Sequence, residues 1–362
     1  MSKQNKNIAF VDVLRILACI TVVACHCRFY LPGDNNTKMR VLLAAFTADG
    51  VSIFWMITGM FYFRDMPYKE RVKKMFKRIV LPILIMSFII FYFNEFLIGN
   101  TSLIGSIMHP LRDYKILLKD YIFTWTPIKY LGHLWYLYTY IILVLLHPVL
   151  NKIREYIDTL DYKKVILFMF AILLLNDISL NKLLTLSLHG TTALIASLFF
   201  FFTGYLLYKN NDKIRGKEII KYIIIFVITN GIRGVCSYLV LRENAECREL
   251  LKWYSSFGLV STVSIYMIIR NIMSKITVDD VGNAILKHCS KLTLYIYLVH
   301  CNVMYVMDYR GISSYLLIKS KNIIVYLILY ILIVFVVSCT ISKIVLFIKY
   351  IFNKIKNAEK NT

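Results

Sequence analysis

Long apolar runs recur from one end of this chain to the other, and nothing else in it restricts the fold so strongly. A run of about 18 residues or more with few charges is long enough to cross a bilayer as a helix. The sequence reads as ten such spans, over about 8–30, 41–63, 79–98, 131–150, 165–186, 191–208, 219–241, 254–271, 292–309 and 322–350. Inside hydrocarbon every backbone donor and acceptor must be satisfied within the segment, which selects helices. The strict apolar–polar alternation of a membrane β-barrel is absent. The expected fold is therefore an all-α, polytopic integral membrane helical bundle. It forms one membrane domain over residues 1–350, followed by a short basic tail, 351–362. The fifth span is the weakest, because Asn176 and Asp177 interrupt it, and the last is long enough to tilt or to continue as an interfacial helix.

The formal net charge of +22 raises the question of nucleic acid, but the placement of the cations answers it. They lie in the gaps between apolar runs, where they report topology, and no nucleic-acid-binding motif accompanies them. With the N-terminus inside, the inner segments carry about twice as many Lys and Arg as the outer ones. The densest inner segment is RDMPYKERVKKMFKR, residues 64–78. Both termini are thus expected in the cytoplasm. The first ten residues lead directly into the first span with no small-residue cleavage site, which reads as a retained helix. The outer segment 99–130 mixes apolar, aromatic and basic residues and reads as an interfacial or re-entrant helix. The eight cysteines mostly sit in apolar runs without zinc-like spacing, so they read as small buried hydrophobes and no metal is expected.

Ionisable groups inside a membrane are expensive and mark candidate functional sites. The first span carries Asp12, Arg15 and His26. At about 100° per residue, Arg15 and His26 return to within about 20° of one another and lie about 16 Å apart along the axis. Asp12 precedes Arg15 by three residues, so the two can pair on the same face. One reading is structural: Arg15 snorkels inward and His26 packs near the outer interface. The other is chemical, since an imidazole is the side chain best suited to move a proton near neutral pH. Elsewhere His133, Trp135 and Tyr136 stand at the outer mouth of the fourth span, as acceptor contacts or as interface anchors. His300 lies in the ninth span, as a packed histidine or as part of a polar cavity. Asp49 and Glu95 are placed to orient His26 or to act as ordinary interfacial carboxylates, and Arg233 has no evident partner.

These segments carry a resemblance. FVDVLRILACITVVACHC, residues 10–27, resembles the opening of acyltransferase family 3 membrane proteins, with their Asp-x-x-Arg and their histidine eleven residues after the arginine. VSIFWMITGMF (51–61) resembles the aromatic second helix of that family, with Thr58 and Met60 where Ser and Phe are usual. KKMFKRIVLP (73–82) resembles its basic motif leading into a proline. HLWYLYTYIILVLLHPVL (133–150) and LTLYIYLVHC (292–301) resemble two later landmarks, so five motifs follow in order over some 300 residues.

The resemblance implies a membrane acyltransferase that takes acetyl or a similar group from acyl-CoA, commonly acetyl-CoA. The acceptor it implies is a hydroxyl of a cell-envelope glycan or lipid-linked sugar, at the cytoplasmic membrane among its lipids. It assigns His26 as the essential histidine, with Asp12 and Arg15 beside it in the catalytic set. Arg15, Lys74, Lys77 and Arg78 are implied to hold the CoA phosphates. The family often has a further arginine where Met75 stands, and a lysine supplies charge there without a bidentate fork. His133, Trp135, Tyr136 and His300 are the candidate acceptor contacts. Two rival readings are a transporter or flippase for an envelope precursor and an N-acyltransferase. Missing internal repeats and missing Gly- or Pro-broken helix pairs count against the transporter.

Overall fold

The computed structural model describes residues 3–28, 37–98, 132–178, 189–210, 218–241, 255–320 and 322–358. All regular structure among them is helical. The helices are α1 (Lys3–Cys27), α2 (Thr37–Thr47), α3 (Gly50–Tyr62), α4 (Tyr68–Met75), α5 (Leu81–Ile98), α6 (Trp135–Leu145) and α7 (His147–Ile157). There follow α8 (Tyr162–Ile178), α9 (His189–Lys209), α10 (Ile219–Leu241), α11 (Ser256–Lys275), α12 (Asp280–Tyr309), α13 (Ile312–Ser320) and α14 (Ile323–Ala358). The segment 99–130, expected as an interfacial or re-entrant helix, and the second half of the expected fifth span lie outside the described residues, as does the side chain of Glu95.

Among the described residues, five stretches are long and apolar enough to cross a membrane: Ala9–Cys27, Lys38–Tyr62, Ile219–Leu239, Ser256–Lys275 and Ile323–Phe347. A sixth is the pair α6 and α7 taken together, bent by 77°. The bend has a local cause. Pro148 has no amide to donate and its ring opposes the carbonyl four residues back, so the helix stops at Leu146 and restarts. Beyond the bend, α7 exposes Val149, Ile153 and Tyr156 on one stripe and carries Asn151, Lys152 and Glu155 on another, the pattern of a helix lying at a membrane surface.

The chain divides into two compact units. One comprises residues 1–28, 33–71 and 141–290; the other comprises 29–32, 72–140 and 291–362. In the first, α3 packs along α9 and α1, and α10 packs along α11 and α2. Glycines set the closest approach. An added Cβ on Gly59 of α3 would overlap the Phe201 carbonyl of α9, and one on Gly204 of α9 would overlap the Met56 backbone of α3. Lipid tails are as apolar as leucine, so helices in a bilayer gain little from hiding side chains and much from such close backbone contact. Helix α10 shows the complementary arrangement, with Ile220, Ile224, Val227, Ile228 and Val235 outward and Thr229, Asn230, Arg233 and Ser237 inward. In the second unit, α13 packs on α14.

Helix α8 includes Asn176 and Asp177 and runs to Ile178, where the described part of the expected fifth span ends. The Asp177 carboxylate accepts from the Ser256 amide at 2.7 Å and from the Ser256 hydroxyl at 2.6 Å, at the first turn of α11. An anion there meets unpaired amides and the positive end of the helix dipole, so the buried charge is satisfied.

Replacing Gly59 or Gly204 by leucine should separate α3 from α9. The expected cost is about 3 kcal/mol or more, read as a lower thermal midpoint of the detergent-purified protein, while glycine-to-leucine at Gly231, which has open space around it, should change little.

Candidate functional site

Helix α1 is unbroken from Lys3 to Cys27, so its helical wheel holds over the whole polar stripe. Asp12 is buried, and Arg15 Nη1 donates to its Oδ1 at 3.2 Å. The same nitrogen reaches the Ser290 hydroxyl at 3.4 Å, near the middle of α12. The guanidinium also lies 5.7 Å from the Phe61 ring, which Arg64 approaches at 4.3 Å. Arg15 is therefore held by three kinds of contact, an anion, a hydroxyl and an aromatic face. Cys19 and Val22 fill the buried stripe between it and His26, which sits half-buried in the last turn of α1.

The basic segment separates by role. Arg71 donates to the Tyr62 carbonyl at 2.5 Å and to the Arg64 carbonyl at 2.9 Å, closing the C-terminus of α3. Lys74, Lys77 and Arg78 are exposed, whereas Met75 is buried, so the position without a cation faces inward. Lys77 and Arg78 lie in a single π-turn, Phe76–Val80, where the Leu81 amide bonds the Phe76 carbonyl. Pro82 explains the turn. It cannot donate to Arg78, and its ring crowds that carbonyl, so the helix widens by one residue ahead of it.

Three of the four expected acceptor contacts come together in the second unit. The ring of His133 is 5.1 Å from His300 and 5.7 Å from Tyr297, and Tyr136 is 6.1 Å from Tyr297. His133 Nε2 donates to the Leu298 carbonyl at 3.3 Å, and the Tyr297 hydroxyl donates to the His133 carbonyl. His300 is fully buried; its Nδ1 lies 2.8 Å from the Tyr297 carbonyl and 3.2 Å from that of Ile296. Trp135, two residues after His133 in sequence, is half-buried at the start of α6.

One polar centre was not expected. Arg233 pairs with Asp49 at 2.8 Å, with both side chains within 1% of full burial. Ser261 donates to the other Asp49 oxygen at 2.5 Å, Asn230 donates to Ser261 at 2.8 Å, and Arg233 donates to Asn230 at 3.2 Å. Arg233, which has no evident partner in the sequence, has one in space. Asp49 sits at the turn between α2 and α3, where its carboxylate leaves the helix end uncapped and turns to α10 and α11 instead. The two residues stand 184 positions apart, so no local pattern signals the pair.

A family described as an acyltransferase domain matches residues 8–343, nearly the whole chain. Among curated proteins nothing matches, and the same is true of solved structures.

The Asp49–Arg233 pair makes a stability prediction. Removing one partner leaves a lone buried charge, at a cost of about 3–5 kcal/mol. Arg233→Ala or Asp49→Ala should each lower the thermal midpoint strongly, and the double variant should recover part of the loss. Additive losses in the double variant would show that the two charges do not depend on each other.

Proposed function

Because the chain belongs to acyltransferase family 3 and carries several membrane-crossing helices, we propose that it is an O-acyltransferase. It moves acetyl or a similar group from acyl-CoA to a hydroxyl of a cell-surface glycan or lipid-linked sugar. The observation that carries this reading is a coincidence of two features. The family match spans residues 8–343, and the first helix inside it pairs a buried Asp12 with a half-buried Arg15 on the same stripe as His26. The full bundle has ten spans with both termini in the cytoplasm of a cell-membrane protein, as the excess of cations in the inner segments supports.

The chemistry follows from that stripe. CoA is anionic and cytosolic, and Arg15 with Lys74, Lys77 and Arg78 offers positive charge at the inner end. His26 lies eleven residues further along α1, about 16 Å outward, a distance that suits the pantetheine arm. His26 takes the proton of the acceptor hydroxyl as general base, or itself carries the acyl group. In the direct route the hydroxyl oxygen bonds to the thioester carbon, the carbon–sulfur bond breaks, and the proton passes to the departing CoA sulfur. His133, Trp135, Tyr136 and His300 hold the acceptor. Asp12 positions Arg15 by the ion pair and does not touch the reacting atoms.

In membranes supplied with labelled acetyl-CoA, the wild type should transfer label to surface glycan. His26→Ala should lower that transfer at least about 100-fold at equal protein level. Arg15→Lys, which keeps charge but loses the fork, should mainly raise KM for acetyl-CoA. Normal transfer by His26→Ala would remove His26 from the mechanism.

A further inference from the structure

Resting on the acyltransferase reading, we propose that Cys301 is a catalytic nucleophile, with His300 as its base, and that it carries the acyl group as a thioester between donor and acceptor. The arrangement begins with the tautomer of His300. Its Nδ1 lies within hydrogen-bond distance of two backbone carbonyls, Tyr297 at 2.8 Å and Ile296 at 3.2 Å. Carbonyl oxygens only accept, so Nδ1 bears the proton and Nε2 of the neutral ring presents a lone pair. That lone pair stands 3.3 Å from Cys301 Sγ, so the thiol donates to the imidazole.

A nucleophile, a base within hydrogen-bond reach and a third group that orients the base form the general pattern of covalent catalysis. Here the orienting group is the helix backbone itself, reinforced by the rings of His133 and Tyr297 at 5.1 and 5.7 Å from the His300 ring. Burial divides the pair usefully. His300 is fully enclosed, which holds the base in one rotamer, whereas Cys301 is partly exposed. At this position the proposal departs from the reading of the cysteines as small buried hydrophobes, because burial alone does not describe a thiol that faces a lone pair.

The first half-reaction exchanges one thioester for another. The Cys301 proton moves to His300 Nε2, Sγ bonds to the acyl carbon, the bond to the CoA sulfur breaks, and the proton passes to the CoA thiolate. In the second half His300 takes the part that the direct route gives to His26: the acceptor hydroxyl gives its proton to His300 Nε2 and bonds to the same carbon. The carbon–Sγ bond then breaks and the proton returns to Sγ. Neither half requires an oxidant, a reductant or a further reactant. CoA leaves before the acceptor reacts, so donor chemistry proceeds without acceptor.

That last consequence gives a test needing no knowledge of the acceptor. The full-length protein, purified in detergent, is incubated with acetyl-CoA and isotopically labelled CoA alone. The wild type should move label into acetyl-CoA and should retain acetyl on a Cys301-containing peptide, released by neutral hydroxylamine. Cys301→Ala should lower exchange at least 100-fold. Cys301→Ser preserves size and serves as the folding control, with an unchanged size-exclusion profile and the same loss of exchange. Exchange that persists in a folded Cys301→Ala or Cys301→Ser protein would overturn the proposal and place the acyl group elsewhere. Absence of exchange and adduct in the wild type would also overturn it, and the acyltransferase reading would then stand or fall on transfer of label to glycan.

Discussion

A carboxylate placed among hydrocarbon has to be matched, and three aspartates of this protein organise the helices that match them. Asp12 takes Arg15 within one helix, Asp49 takes Arg233 and Ser261 from two others, and Asp177 takes the first turn of α11. Each is buried, so each fixes its partner's position as well as its own charge. Around these anchors the packing is close backbone contact at Gly59 and Gly204, with isoleucines and valines turned outward on α10. The polar centres and the glycine contacts are two answers to one problem, since in lipid neither charge nor shape can be left unfilled.

How far the sequence carried the fold depends on whether each feature is local. The spans read at 8–30, 41–63, 219–241, 254–271 and 322–350 coincide with the five helices that meet the length and polarity of a crossing, because hydrophobic runs are local. The break at Leu146 was missed although Pro148 was in view, since a proline inside an apolar run permits either a kink or an ending. Asp177 is the opposite case, a polar residue inside an apolar run. Its polarity is local, but the helix end that satisfies it lies 79 residues away.

The candidate site divides in the same way. The Asp12–Arg15 pair was legible because helical geometry places a residue three positions on at the same face. His133 and His300 were expected only as separate contacts, since 165 or so residues separate them, and Tyr297 between them carried no signal of its own. Arg233 had no readable partner, and the thiol of Cys301 had no readable base, because a rotamer decides whether neighbours in a helix touch. The family match over residues 8–343 names the class of chemistry, and the described side chains supply places where that chemistry can be held.

The central claim is that an acyl group enters from a cytosolic CoA thioester and leaves on an outward-facing acceptor. Sealed vesicles of opposite orientation, each given membrane-impermeant labelled acetyl-CoA outside, test it most directly. Inverted vesicles, whose cytoplasmic face is exposed, should consume the thioester and accumulate label on glycan inside the lumen. Right-side-out vesicles should do neither until they are opened. Equal consumption by both orientations, or consumption by neither, would contradict the claim.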